Sequence, residues 1–144
     1  DLVFFVEDDY LFEQNAIEEC VLSYSRLATQ LDQEIIISPT DYWFYYDALY
    51  NTSVILGANY KFRFVGETLM TFLTSKKIIE KNYDLIEKVS LEENDPFEKP
   101  LHELYKKHPC LAPIGSLSYH ISTIASGTTP HSNWKKTWDN YFLG

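Results

Sequence analysis

The chain opens with Asp1-Leu2-Val3-Phe4-Phe5-Val6 and runs directly into Glu7-Asp8-Asp9, and this join constrains the fold more than any other stretch. The run from Leu2 to Val6 is continuously apolar and β-prone. Such a run predicts a strand covered on both faces, as in an α/β sheet. Its carboxyl end then carries three acidic residues, at the place where open α/β sheets bind ligands. Adjacent carboxylates repel one another unless a cation neutralises them. Hard oxygen ligands suit Mg²⁺ or Mn²⁺, ions that usually hold substrate phosphates as well. The plainer alternative is that the three acids only cap the following turn. Natural domains seldom begin inside a buried strand, so further sequence is expected upstream.

Strands and helices alternate after this point, which predicts an α/β fold with one antiparallel hairpin. Asn15 is placed to cap a helix whose apolar face is Ile17, Cys20, Val21, Tyr24, Leu27, Ala28 and Leu31. Ile35 to Ile37 forms a short buried strand, ended by Ser38-Pro39-Thr40-Asp41. Residues 53–56 and 59–64 alternate as a hairpin around Gly57-Ala58, and 68–74 is a further strand. Ser75 caps a helix from Lys76 to about Leu85, followed by a polar, acidic connection over 87–94. Asp95-Pro96 has the form of a helix start. That helix carries Phe97, Leu101, Leu104 and Tyr105 on one face and stops at Pro109. The last extended segment covers 111–121, and the stretch from Trp134 to Phe142 is aromatic.

With 144 residues, 45% of them hydrophobic, the chain suits one packed domain rather than a disordered segment. A net charge of −9 without a basic cluster excludes ordinary nucleic-acid binding and directs attention to a bound cation for any phosphate chemistry. Cys20 and Cys110 lack metal-ligand spacing and read as buried reduced thiols of an intracellular, cytoplasmic protein. No apolar run has the length of a transmembrane segment. Asn51-Thr52-Ser53 fits a glycosylation acceptor, a triplet that also arises by chance.

Two further stretches carry candidate chemistry. Gly115-Ser116-Leu117-Ser118-Tyr119-His120 ends in a histidine placed to give a nitrogen ligand to the ion at Asp9, or else to serve structure alone. His131 is a weaker candidate, and His102 and His108 read as solvated. A carboxylate at the helix start, Asp95 or Glu98, can act as general base toward an acceptor hydroxyl. Asp95 also caps the helix, whereas Glu98 is expected one turn inside. The aromatic loop from Tyr42 to Tyr50, with Tyr42, Trp43 and Tyr45, either stacks on acceptor sugar rings or packs on the core.

Taken in order, these motifs resemble the A-type-fold nucleotide-sugar glycosyltransferases of the family-2 kind. Asp1 to Tyr10 resembles the strand and Asp-x-Asp motif, in a Glu-Asp-Asp variant. Lys61-Phe62-Arg63 with 68–73 resembles the central segment beside the donor sugar. Asp95 to Leu101 resembles the helix start bearing the base of inverting members. Gly115 to His120 resembles a Pro-Ser-Leu-x-x-His segment, with Gly115 where Pro is frequent. The resemblance covers nearly the whole chain. It implies a partial mixed sheet flanked by helices, the carboxyl-terminal part (1–144) of a catalytic domain that lacks its amino-terminal strands and the nucleotide-base pocket.

Carried over, Asp9 and His120 would hold Mn²⁺ or Mg²⁺, Glu7 would face the ribose or sugar with Asp8 beside it, and Arg63 would pair with a phosphate or an acidic residue. Glu98 or Asp95 would be the base. The donor would be a UDP- or GDP-sugar and the acceptor a saccharide or other hydroxyl compound. Two other classes remain open: a metal-dependent phosphodiesterase or nuclease using clustered acids, and a truncated or degenerate module without catalysis.

The implied missing strands would leave Leu2 to Val6 as a sheet edge, and exposed apolar edges recruit partners. Self-association through this strand is expected in analytical ultracentrifugation, and a monodisperse monomer would contradict it.

Overall fold

The computed structural model describes residues 1–47, 49, 51–91, 98–126 and 134–142. Its strands are β1 (Leu2–Phe5), β2 (Tyr10–Phe12), β3 (Ile36–Ile37), β4 (Val54–Leu56), β5 (Lys61–Val65), β6 (Phe72–Ser75), β7 (Cys110–Pro113) and β8 (Ser118–His120). Its helices are α1 (Ala16–Leu31), α2 (Lys76–Lys81), α3 (Tyr83–Leu91), α4 (Lys99–Lys107), α5 (Ile121–Ser126) and α6 (Trp134–Phe142). Six strands form a mixed sheet in the spatial order β1-β6-β3-β7-β5-β4. Only the β3–β7 pair within it is parallel. β2 and β8 form a separate antiparallel ladder.

The side-chain period of two sends neighbouring residues of each central strand to opposite faces. Ile36, Phe72 and Cys110 pack with Ile78, Leu101 and Leu104 on the side of α2 and α4. Ile37, Leu73 and Leu111 pack with Cys20, Tyr24 and Leu27 on the side of α1. The sheet is therefore covered on both faces, as the continuous apolar runs require. Both cysteines are free and buried. The mixed α/β sheet with flanking helices agrees with the sequence.

Several elements differ from their expected form. β1 is an edge strand, as expected, but Leu2 is 37% and Val3 36% exposed, so its first half is not covered on both faces. Phe4 and Phe5 are half-buried against the two opposite cores. α1 buries Ala16, Glu19, Cys20, Ser23, Tyr24 and Leu27, while Ile17 and Val21 face water. Asn15 occupies its cap position without a side-chain capping bond. β6 starts only at Phe72. Upstream of it, Thr68 and Thr71 are buried through side-chain bonds, to the Tyr105 hydroxyl and from the Glu7 amide. The helix after Ser75 breaks at Asn82, and the stretch expected as a polar connection continues as α3 to Leu91. Ile86 is buried and Val89 packs beside it, enough apolar anchoring to hold a largely charged segment helical. Phe97 of the next helix lies outside the described residues.

The rotation of α1 is explained by Glu19. Its carboxylate, 1% exposed, accepts from Ser23 Oγ at 2.8 Å, the Asn59 amide at 2.9 Å and Asn59 Nδ2 at 2.7 Å. Ser23 Oγ in turn accepts from the Ala58 amide at 2.8 Å. α1 thus clamps the β4–β5 hairpin turn with polar groups that no apolar periodicity reveals. Gly57 allows the approach: a Cβ there would stand 2.5 Å from the Phe62 ring and from Ser23 Oγ. Burial pushes the Glu19 pKa up, but the bonds from Asn59 and Ser23 outweigh it and the net shift is downward from 4.5.

Because folding lowers this pKa, the stabilisation is complete above about pH 4.5 and is lost as pH falls through the folded value. Glu19→Ala should cost about 2–3 kcal/mol at neutral pH, since buried donors lose a charged acceptor. The denaturant midpoint reads this, and Glu19→Gln should flatten the loss of stability in acid. A wild-type midpoint in Glu19→Ala would refute the clamp.

Candidate functional site

The acidic residues leave the sheet where β1 ends. The Glu7 amide donates to Thr71 Oγ1 at 3.1 Å, which fixes the strand end against the segment before β6. The chain turns at Asp8 and Asp9 and enters β2. The β2–β8 register places Tyr10 opposite His120. The Ile121 amide donates to the Asp9 carbonyl at 2.9 Å and extends the ladder by one bond. These backbone constraints bring His120 Nε2 to 2.8 Å from Asp9 Oδ2. His120 Nδ1 shares a 2.6 Å hydrogen bond with Ser122 Oγ, and the Tyr10 ring lies 4.9 Å from the imidazole between centroids. The Tyr10 and Tyr42 hydroxyls share a 2.7 Å bond.

Glu7 belongs to the same cluster. Burial pushes its pKa above 4.5, Asp9 and Glu98 push it further, and His120 and the Met70 backbone oppose them. Its Oε2 is buried without a hydrogen-bond partner among the described residues. An anionic oxygen in that condition is costly unless a cation or a donor beyond the described residues meets it. Asp8 is exposed in the turn.

Glu98 stands at the residue before α4, not one turn inside it. Its carbonyl accepts from the Leu101 amide at 2.8 Å, and its side chain makes no capping bond. The carboxylate is half-buried and acts electrostatically on Glu7. Asp95, the alternative base, and His131 lie outside the described residues, as does Tyr50 of the aromatic loop. His102 and His108 are half-buried rather than solvated, and burial lowers the His108 pKa.

Three expected ligand contacts take other roles. Arg63 forms a buried ion pair with Asp41, Nη2 to Oδ1 at 3.5 Å, and its guanidinium lies 4.5 Å over the Tyr46 ring. The acidic residue is one of the two partners expected for it. The Asp41 carboxylate also accepts from the Tyr46 hydroxyl and the Gly115 amide. Tyr42 and Tyr45, each 2% exposed, are core residues and offer no face to a sugar. Tyr42 stacks on Phe44, and Tyr45 donates to the Glu67 carbonyl. Packing pins Tyr42 and Tyr45, and of the three proposed contacts only Trp43 presents an exposed surface.

Whether these residues suit a divalent cation follows from their donors. Among the described residues no three His, Cys, Asp or Glu side chains form a ready-made metal group. Mg²⁺-type sites need less: one or two protein ligands, with substrate phosphates and water completing the shell. Asp9 supplies one carboxylate, His120 adds an imidazole nitrogen beside it, and the unpartnered Glu7 oxygen belongs to the same cluster. The set does not form a closed protein cage, and a cation held there would need water or a further ligand to complete its shell.

Comparison with protein-family models, curated proteins and solved structures returned no match. Among the described residues no helix is long and apolar enough to cross a membrane. Thr71 lies in the 68–73 segment that the resemblance sets beside the donor, but its bond to the Glu7 amide, like that of Ser122 to His120, is not expected from the sequence. Both are small hydroxyl residues whose partners are set only by folding.

The unpartnered carboxylate generates a pH-dependent prediction. Folding raises the Glu7 pKa, so the folded state holds its proton more tightly and stability falls as pH rises above about 4.5. Glu7→Gln should raise Tm by about 2–5 °C at pH 7, the size expected from relieving an unsatisfied buried group on the order of 1 kcal/mol. The gain should vanish below pH 4.5 in differential scanning calorimetry. A Glu7→Gln protein less stable than wild type at pH 7 would remove the argument.

Proposed function

We propose that the chain carries the metal and donor-phosphate site of a nucleotide-sugar glycosyltransferase that transfers a sugar to an acceptor hydroxyl with inversion. The observation that carries this reading is the 2.8 Å approach of His120 to Asp9, two residues from opposite ends of the sequence joined by the β2–β8 ladder. The ordered motif resemblance adds to it.

In this reading Asp9 and His120 hold Mn²⁺ or Mg²⁺, which when bound stabilises charge on the diphosphate leaving group. Glu7 orients the ribose or the donor sugar, with Asp8 at the solvent side. Glu98, or Asp95 beside it in sequence, removes the proton from the acceptor hydroxyl. The donor is a UDP- or GDP-sugar, the acceptor a saccharide or other hydroxyl compound.

A specific observation favours a second reading, a glycosyltransferase-like module without catalysis. The Asp9–His120 contact is already a direct hydrogen bond, which on its own closes the ladder without any ion. Calorimetric titration of Mn²⁺ with and without UDP or GDP separates the two. The first reading expects the nucleotide to tighten Mn²⁺ binding about tenfold or more, and Asp9→Ala to abolish it. A folded wild type that binds neither Mn²⁺ nor nucleotide leaves the second.

A further inference from the structure

A cleft of about 520 Å³ opens at the far end of the β2–β8 ladder from His120, between the start of α1, the Gly115 turn and α6. We infer that it is a binding site for a neutral saccharide of one or two rings, distinct from the Asp9–His120 pair. Asp9 and Glu13 bracket β2, and at about 3.3 Å per residue they stand roughly 13 Å apart along the strand. The volume lies within the range of small-ligand sites.

The character of the walls selects the ligand. Glu13 is held in place because its Oε1 accepts from the Tyr119 hydroxyl and from Thr137 Oγ1, each at 2.6 Å. Its second oxygen has no hydrogen-bond partner among the described residues, so a pre-oriented acceptor remains at the cleft. Lys136, Gln14 and Asn140 line the same cleft and add donors on flexible exposed side chains. One carboxylate and one ammonium group cancel, so the lining attracts neither a free anion nor a free cation. The Tyr60 ring lies against the Gly115 turn, 4.0 Å from the position a Cβ would take there. Burial and the Glu13 and Glu19 charges raise the Tyr60 pKa, which keeps its hydroxyl a neutral donor and acceptor. An aromatic ring beside a fixed carboxylate and several amide and hydroxyl groups is complementary to a sugar ring, which has one apolar face and a rim of hydroxyls. A nucleotide or lipid lacks this match, because the first needs positive charge and the second an apolar lining.

The inference stands apart from the metal site, so its test uses no metal and no nucleotide. Amide NMR spectra of the full chain are recorded against methyl β-glucoside, methyl β-galactoside, methyl α-mannoside and cellobiose, with glycerol as a polyol lacking a ring. At least one sugar is expected to shift the resonances of Glu13, Gln14, Tyr60 and Gly115 with millimolar affinity. Tyr60→Ala should weaken it about three- to tenfold, the size of one aromatic contact. Since Tyr60 also packs on the core, Asn140→Trp on the exposed face of α6 provides a blocking variant whose fold is not at risk. Loss of the shifts in a folded Asn140→Trp protein supports the site. It is overturned by no response at these residues to any of the sugars, by an equal response to glycerol, or by shifts that survive in Asn140→Trp.

Discussion

The buried carboxylate of Asp41 is the interaction on which the arrangement of the site depends. It faces Arg63 across 3.5 Å and accepts from the Gly115 amide at 2.9 Å, while the Asp41 amide donates to Ser116 Oγ at 2.7 Å. Immediately before it, the Pro39 carbonyl accepts from the amides of Leu117 and Ser118, and Thr40 shares a hydroxyl bond with Ser118. The segment after β3 thus grips the whole turn between β7 and β8. That grip sets where β8 starts, hence its register on β2, hence the approach of His120 to Asp9. Gly115, at φ 92°, supplies the left-handed backbone that lets its amide point at Asp41. A buried ion pair of this kind contributes little net stability, but losing one partner strands the other charge, so it fixes one geometry firmly.

The acidic cluster differs in gathering like charges. Burial, with Asp9 and Glu98 nearby, raises the cost of ionising Glu7, and a Glu7 oxygen is buried without a partner among the described residues. Proteins satisfy nearly all buried polar atoms, and the Asp41–Arg63 pair shares this cost: Asp41 Oδ1 and Arg63 Nε are also buried without a hydrogen-bond partner among the described residues. Stability and function pull in different directions at Glu7. The β1 edge and the Thr71 anchor hold the repelling groups together, and the two apolar cores on either side of the sheet supply the surplus that makes this tolerable.

Polar contacts also determine how the outer layers sit. Glu19 and Ser23 turn α1 so that its polar side meets the β4–β5 hairpin, and Ile17 and Val21 are left in water as a consequence. The hydrogen bonds of the three Glu19 donors, made to a charge shielded from solvent, outweigh the burial of two aliphatic side chains. Glu13 plays the corresponding part for α6, which it binds through Thr137.

By itself the sequence determined the α/β class, the central strand at Ile36, the hairpin around Gly57 and the helices behind Asn15 and Ser75. Each of these is written in local periodicity and turn chemistry, which a linear reading detects. The extended segment expected over 111–121 instead splits into β7 and β8 in separate sheets, with Ile121 opening α5. The sequence also named Asp9 and His120 as a pair, through the order of the motifs rather than either motif alone, and the fold brings the two together. The tertiary structure alone decided the rest. It sent Arg63 to Asp41, buried Tyr42 and Tyr45 in the core, turned the 87–91 stretch into helix and placed Thr71 against Glu7. All of these are contacts between residues far apart in sequence, where the partner and not the residue type fixes the role, and local pattern carries no record of the partner.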